Sequence, residues 1–342
     1  GVQPTAAVGH SLGEFAAMCV AGLLTVEEAC ALVAARGLAM STLDSGEASG
    51  AMAAVWASAA DVADALLRRG KACADVVVAV VNGPSSVVIS GPAAGVDSAI
   101  EALVAKGIKA KRLDVTHGFH SACMEPTLSA IRSASQSILG SSGTKLSPKS
   151  NAAEVVASAG TGLVHFVSSV TGSQLSDDVS PHDPEYWVRQ ARQSVQFVGA
   201  MECALKDLEC NVVVEIGPHP QLCSHVDAIA ETLGVEARII PTLKRGKRCE
   251  ASMGNAIAEL HVSGVSLNWD GIASGGRRVR LPVTALVGQR HWIDTSPEHI
   301  AISNIGNAHP LLGTRLKMPV STTGAAVYHV QITETLMKLF MD

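Results

Sequence analysis

The sequence predicts an α/β protein, with a hydrolase-like parallel sheet core and an inserted ferredoxin-like βαββαβ subdomain. Three observations predict it. Short apolar runs such as "TAAV" and "NVVVEI" have the character of buried strands. The composition is 47% hydrophobic but only 3% aromatic, and rich in alanine and valine, which suits helices packed on such a sheet. Between about residues 50 and 115 the pattern changes to strand, helix, two strands, helix, strand.

The elements follow in order. "TAAVGHS" is a short buried strand, and a helix is expected from Leu12 to Val20, stopped by Gly22. Thr25 caps a second helix, with Glu28 three residues on as its capping-box partner. "AMAAVWA" is a strand, and "SAADVADALLRRG" a helix with an N-cap serine and a closing glycine. "VVVAVVN" and "SVVIS" are strands separated by the turn signal "GPS". "AAGVDSAIEALVAKG" is a helix and "IKAKRLDV" a strand.

Residues 140–162 are poor in large apolar side chains and are expected to be a surface insertion. "LVHFVSSVTG" returns to strand character, "PEYWVRQARQSVQFVGAMECALKDL" is expected to be helical for most of its length, and "CNVVVEIGP" ends a buried strand in a Gly-Pro turn. After Pro241 come a basic stretch, the helix "ASMGNAIAELHVSG" and the linker-like "ASGGRRVRLPV".

The 342 residues suffice for two or three domains. The 26 basic and 31 acidic side chains leave a net charge of -5, with no basic footprint for nucleic acid. The eight cysteines form no CxxC pair, so reduced thiols are expected rather than a disulfide or zinc framework, and no metal is expected. No apolar run spans a bilayer and no signal peptide opens the chain, so the expected location is cytoplasmic, off the membrane. The chain begins without methionine, almost on a motif, and is expected to be an N-terminally truncated piece of a longer polypeptide.

Gly9-His10-Ser11-Leu12-Gly13 matches the GxSxG pattern of a nucleophile elbow. Glycines permit the sharp strand-to-helix turn that lifts the serine hydroxyl above the sheet. The N–H of Leu12, at a helix N-terminus, is placed to bind an oxyanion. The competing explanation is a glycine-rich turn with an idle serine; the strand before and the helix after favour the elbow.

A nucleophilic serine needs a base. "VTHGFHSACM" offers His117 and His120, and spacing alone leaves the choice open; His10 is disfavoured as a sequence neighbour at the elbow. No carboxylate is obviously placed as a third member, since Asp114 and Glu125 only flank the loop, and a backbone carbonyl could serve. Arg36 shares a helical stripe with Ala29, Leu32, Val33 and Met40, so it is expected on a buried face. A buried guanidinium needs an anion: either an internal salt bridge or a bidentate clamp for a substrate carboxylate.

"GHSLGEFAA" with Arg36 on the next helix, then "NGPSSVVISGP", "HGFHSACM", "YWVRQARQSVQF" and "VVEIGPHPQL", resemble in order the acyltransferase domain of polyketide synthases. Malonyl-CoA:acyl carrier protein transacylases of fatty acid synthesis are similar. The resemblance covers roughly residues 1–240. It implies that Ser11 is acylated, that His120 is the base, that Arg36 clamps a malonyl carboxylate, and that a backbone carbonyl near Gln196 orients His120. It places Phe119, and His117 beside it, at the substrate. Phe119 occupies a position that goes with malonyl rather than methylmalonyl units, and Gly118 stands where alanine is more usual.

No bound cofactor is implied. Malonyl-CoA is the donor, and the phosphopantetheine thiol of an acyl carrier protein the acceptor. "RRVRLPVTALVGQRHWID" resembles the linker that follows such domains, and "HPLLGTRL" the start of a dehydratase domain. The implied division is a large subdomain at 1–49 and 116–240, a small one at 50–115, a linker at 241–295 and an incomplete dehydratase start at 296–342. A ketosynthase is expected upstream and a homodimer for the parent. The family's glutamine-containing strand, which supplies another oxyanion N–H, would precede Gly1. Two other classes fit the elbow: a serine hydrolase of neutral esters, and a non-catalytic docking scaffold within a synthase.

Overall fold

The computed structural model describes residues 2–43, 50–141, 164–176 and 179–273, with the shorter stretches 275–277, 279–283, 288, 308–309, 313–316 and 327–330 beyond them. The chain divides into two units, residues 1–275 and 276–342. The first is mixed α/β. Strand β1 (Ala6–Val8) leads into helix α1 (Gly13–Val20), one residue shorter than the expected helix because Leu12 is its N-cap. Helix α2 (Val26–Ser41) starts at the predicted capping box, with Thr25 Oγ1 accepting from the Glu28 N–H and Glu28 accepting from the Thr25 N–H.

The next elements run β2 (Ala51–Val55), α3 (Ala59–Arg69), β3 (Val77–Gly83), β4 (Ser86–Gly91), α4 (Ala93–Ala105) and β5 (Ala110–Arg112). They form one antiparallel sheet in the order β3-β4-β2-β5. Strand alternation gives this sheet two apolar faces. Ala51, Ala53, Val55, Val87 and Ile89 pack on α3 and α4. Met52, Val80 and Val88 point the other way, into a core with Phe197, Met201, Val226 and Ile229. The small sheet is therefore pinned to the rest of the unit by its second face.

Helix α5 (Leu128–Ser141) follows, and the expected insertion at 140–162 lies, from residue 142 on, outside the described residues. Strand β6 (His165–Ser168) pairs parallel with β1, and the short β7 (Ser173–Gln174) antiparallel with β6. The expected long helix is broken. Helix α6 (Pro184–Arg192) ends, residues 193–196 leave the helical conformation, and α7 (Phe197–Glu202) begins anew. The break has a cause in pairing: the Val195 N–H donates to Ala79 O at 2.8 Å, the Val81 N–H to Val195 O at 3.0 Å, and Ser194 Oγ to Val78 O. A strand edge of the small sheet has captured the segment. Strand β8 (Val212–Glu215), helix α8 (Cys223–Leu233) and strand β9 (Arg238–Pro241) complete a parallel pair. Helix α9 (Cys249–Val262) packs Ala256 and Leu260 on Ile240. In the second unit, Ala308–His309, Gly313–Leu316 and Val327–His329 form an antiparallel three-stranded sheet.

One buried ionisable group ties the start of α1 to its neighbours. Glu14 is 0% exposed. Its carboxyl accepts from Ser168 Oγ at 2.9 Å, from the Ser169 N–H at 3.2 Å, and from the Ser169 and Tyr186 hydroxyls. Burial pushes its pKa up, and the four donors pull it back. Replacing it by Leu strands those donors. Glu14→Leu is expected to cost roughly 3 kcal/mol, against about 1 kcal/mol for Tyr186→Phe. Thermal unfolding of the two variants side by side checks this.

Candidate active site

Ser11 follows β1 on a turn that only certain residues allow. A Cβ at Gly9 would fall 2.3 Å from the backbone of Gly13 and Glu14, so position 9 must be glycine. Gly13 has open space around its missing Cβ, so no such demand applies there. Ser11 itself is left-handed, at φ 50°. The Gly13 and Glu14 N–H groups are taken by the carbonyls of His10 and Ser11, at 2.9 and 3.1 Å. Among the described residues, the N–H of Leu12 meets no acceptor.

His120 lies 109 positions away, and its Nε2 is 2.8 Å from Ser11 Oγ. It too is left-handed, at φ 57°. Its turn is tight: Ser121 Oγ donates to Gly118 O at 2.6 Å, and a Cβ on Gly118 would crowd Gly91 O and Cys123 Sγ at 3.1 and 3.2 Å.

The Nδ1–H of His120 donates to Gln193 O at 3.0 Å. This corrects the expectation for Gln196. The Gln196 carbonyl is occupied by the Ala200 N–H at 3.0 Å, because Gln196 is the N-cap of α7. The Gln193 carbonyl is freed because residue 193 leaves α6 in extended conformation, at φ -85° and ψ 162°. With Nδ1 protonated, Nε2 is the acceptor for the serine hydroxyl. The imidazole is 3% exposed. Burial, then the nearby Arg36 charge, hold its pKa down to about 4.

Arg36 projects from α2 into the same cavity, of about 300 Å3, that Ser11, His120, Phe119 and His10 line. The far wall is apolar: Met52, Val80 and Val88 from the small sheet, and Leu113 just after its last strand. The Arg36 guanidinium has no carboxylate partner among the described residues, and its buried Nε has no hydrogen bond. Burial lowers its pKa to about 10, which leaves it cationic at neutral pH. His10 does not touch Ser11; its Nε2 is 2.8 Å from Asn82 Oδ1 and its ring stands edge-on to Phe197. His117 is not brought to the cavity; its Nδ1 lies 2.6 Å from the exposed Thr116 hydroxyl. Glu125 pairs with Arg192 at 2.6 Å instead of serving His120.

Sequence reasoning missed Gln190. It is 3% exposed, and its Nε2 donates to the carbonyl of Ser11 at 2.9 Å, bracing the left-handed residue. Nothing in "RQARQSVQ" separates this glutamine from its neighbours; only the helix phase on α6 does. Among the described residues no cluster of three or more His, Cys, Asp or Glu is disposed to hold a metal. No helix among them is long and apolar enough to cross a membrane.

A mixed α/β fold with a hydrogen-bonded serine–histidine pair, beside a cation without a carboxylate partner among the described residues, defines a site suited to acyl transfer through a serine. The family model described as the acyl transferase domain matches residues 1–267, and the chain belongs to that family. It is 36% identical over 321 residues to the polyketide synthase GfsB of Streptomyces halstedii, covering 91% of this chain and 5% of that protein. It is 32% identical over 326 residues to mycoketide-CoA synthase of Mycobacterium tuberculosis, covering 94% of this chain and 7% of that one. The chain thus spans a small fraction of the curated relatives it matches. Among solved structures it is similar to the acyltransferase domain from the second module of the salinomycin polyketide synthase, at TM-score 0.66 and 34% identity, over 82% of this chain and 60% of that one. A malonyl CoA-acyl carrier protein transacylase from Clostridium perfringens shares the fold at TM-score 0.60 and 21% identity, over 77% of this chain and 73% of that one.

Two expectations follow. Gly9→Ala abolishes reaction of Ser11 with a sulfonyl fluoride, whereas Gly13→Ala changes stability by less than about 1 kcal/mol; peptide mass spectrometry and thermal unfolding read the two. Because His120 is held down to about 4, the base is neutral throughout the physiological range. Sulfonylation is therefore level from pH 8 to about 5 and falls only below that.

Proposed function

We propose that this chain is the acyltransferase of a polyketide synthase that moves a malonyl unit from coenzyme A to the phosphopantetheine thiol of an acyl carrier protein. The observation that carries this reading is Arg36: a cation without a carboxylate partner among the described residues, in the cavity that holds the Ser11–His120 pair. A hydrolase of neutral esters gains nothing from it, and a docking scaffold needs no hydrogen-bonded serine and imidazole.

In the proposed cycle His120 Nε2 takes the Ser11 hydroxyl proton as Oγ attacks the thioester carbonyl. The oxyanion is held by the N–H of Leu12. The C–S bond breaks, and the departing coenzyme A thiolate takes the proton from the imidazolium. The result is a malonyl ester on Ser11. The carrier thiol then gives its proton to His120 and attacks the ester. Ser11 leaves with that proton, and the malonyl group rests on the carrier. Arg36 grips the free carboxylate and so fixes the carbonyl over Oγ. Gln193 O keeps the imidazole in the required tautomer. Phe119, whose ring borders the cavity, crowds an α-methyl group and favours malonyl over methylmalonyl units. His117, whose ring lies 5.7 Å from that of Phe119, stands behind it at the substrate.

The wider organisation belongs to the same proposal. Residues 1–49 and 116–240 are the hydrolase-like large subdomain and 50–115 the ferredoxin-like insert. Residues 241–295 are the segment after the acyltransferase, and 296–342 the start of a dehydratase domain. A ketosynthase and a dehydratase in the same polypeptide, a homodimeric parent and a cytoplasmic setting complete it.

Incubation with malonyl-CoA should add one malonyl group to the Ser11 peptide, read by mass spectrometry, and Ser11→Ala should abolish it. Arg36→Ala should slow malonyl loading about a hundredfold while sparing, or raising, acetyl loading. Equal loading of malonyl groups by the variant and the parent would remove the clamp.

A further inference from the structure

Among the described residues the base at this site has no counter-charge. Its Nδ1 partner is the neutral carbonyl of Gln193, where a carboxylate would have stabilised the imidazolium. Around it stand His10 from the elbow, itself kept neutral by burial, and the amides of α6. Arg36 faces it across the cavity from α2. A second cavity borders the opposite side of His120 and carries Arg192, whose charge is matched by Glu125 at 2.6 Å. Among the described residues no carboxylate lines either cavity. Arg36 is therefore the one unmatched charge that these walls present to His120, and it is of the same sign as the imidazolium that must form there.

We propose that Arg36 gates the base as well as gripping the substrate: its uncompensated cation opposes protonation of His120, and an acyl carboxylate paired with the guanidinium lifts that opposition. This rests on the reading of Arg36 as a carboxylate clamp and deepens it. The donor's own charge completes the electrostatics of the catalytic pair. A malonyl thioester brings the missing anion into the buried cavity, where a charge acts over longer range than in water. An acetyl thioester leaves the cation bare, so proton transfer from Ser11 to His120 stays unfavourable even when the donor is fully bound. Selection between the two donors then lies in the acylation step and not in binding alone.

The test is single-turnover acylation of Ser11 in the full-length protein at saturating donor, followed by peptide mass spectrometry from pH 4 to 8. At saturation the acid limb reports the base within the complex. With acetyl-CoA the rate should be slow and level down to about pH 5. With malonyl-CoA the limb should move up by about one pH unit and the plateau should rise about tenfold or more. Arg36→Met should shift the acetyl limb and plateau in the same direction, and Arg36→Lys, which keeps the charge, should shift the limb less than Arg36→Met does. The two donors on the unaltered protein give the answer even where a variant fails to fold.

Identical limbs for acetyl and malonyl donors, with Arg36→Met changing only the concentration of malonyl-CoA needed, would overturn the gate while leaving the clamp intact. Absence of any malonyl ester on Ser11 would instead overturn the proposed function. In that case sulfonylation of Ser11 still tests the coupling, since it needs only the hydroxyl and its base: equal pH profiles for the parent and Arg36→Met would end it.

Discussion

The site depends on one hydrogen bond, 2.8 Å between Ser11 Oγ and His120 Nε2, joining two residues whose backbones both lie in the left-handed region. Each such residue costs on the order of 1–3 kcal/mol, so neither conformation survives without support from its surroundings. The supports are specific. Ser11 is braced by Gln190 and by the glycine that lets the turn close on itself, and the helix that follows it is anchored through Glu14. His120 sits in a turn closed by Ser121 onto Gly118, with its ring fixed by Gln193. Two strained residues facing one another fix the direction of both side chains, and the distance between them then follows from packing.

That packing is set by the small sheet. One face is covered by its own helices. The other supplies Met52, Val80 and Val88 both to the core against α7 and α8 and to the wall of the cavity. The edge of β3 captures residues 193–195, and that capture is what turns the Gln193 carbonyl toward His120. The small sheet therefore closes the cavity and orients the base, although neither Ser11 nor His120 belongs to it.

Much of this was legible in local patterns. The capping box at Thr25 and Glu28 fixed the phase of α2, and that phase put Arg36 on the half-buried face where the cavity opens. The glycines around Ser11 announced the elbow, though only Gly9 is sterically required. What was not legible depends on contacts between distant segments. The choice between His117 and His120 turns on a backbone angle that no spacing encodes. The break after Arg192 was hidden because "ARQSVQF" has enough helical character to pass as continuous, and the competing strand edge lies more than a hundred residues earlier. The carbonyl near Gln196 was implied by the resemblance alone; the break places Gln193 there instead. Glu14 and Gln190 are polar residues with no local signature; their partners exist only after folding.

The neutral partner of His120 links these points. A carboxylate at Nδ1 would make the imidazole a ready base for any acyl donor, because the imidazolium would be stabilised whether or not a substrate carboxylate were present. A carbonyl fixes the tautomer equally well but adds no full charge. The electrostatic balance of the cavity is then left to Arg36 and to whatever anion reaches it. In the proposed mechanism such a site couples recognition to proton transfer through a single guanidinium, without any moving part. Burial lowers the Arg36 pKa only to about 10, so the guanidinium stays charged beside His120 at neutral pH.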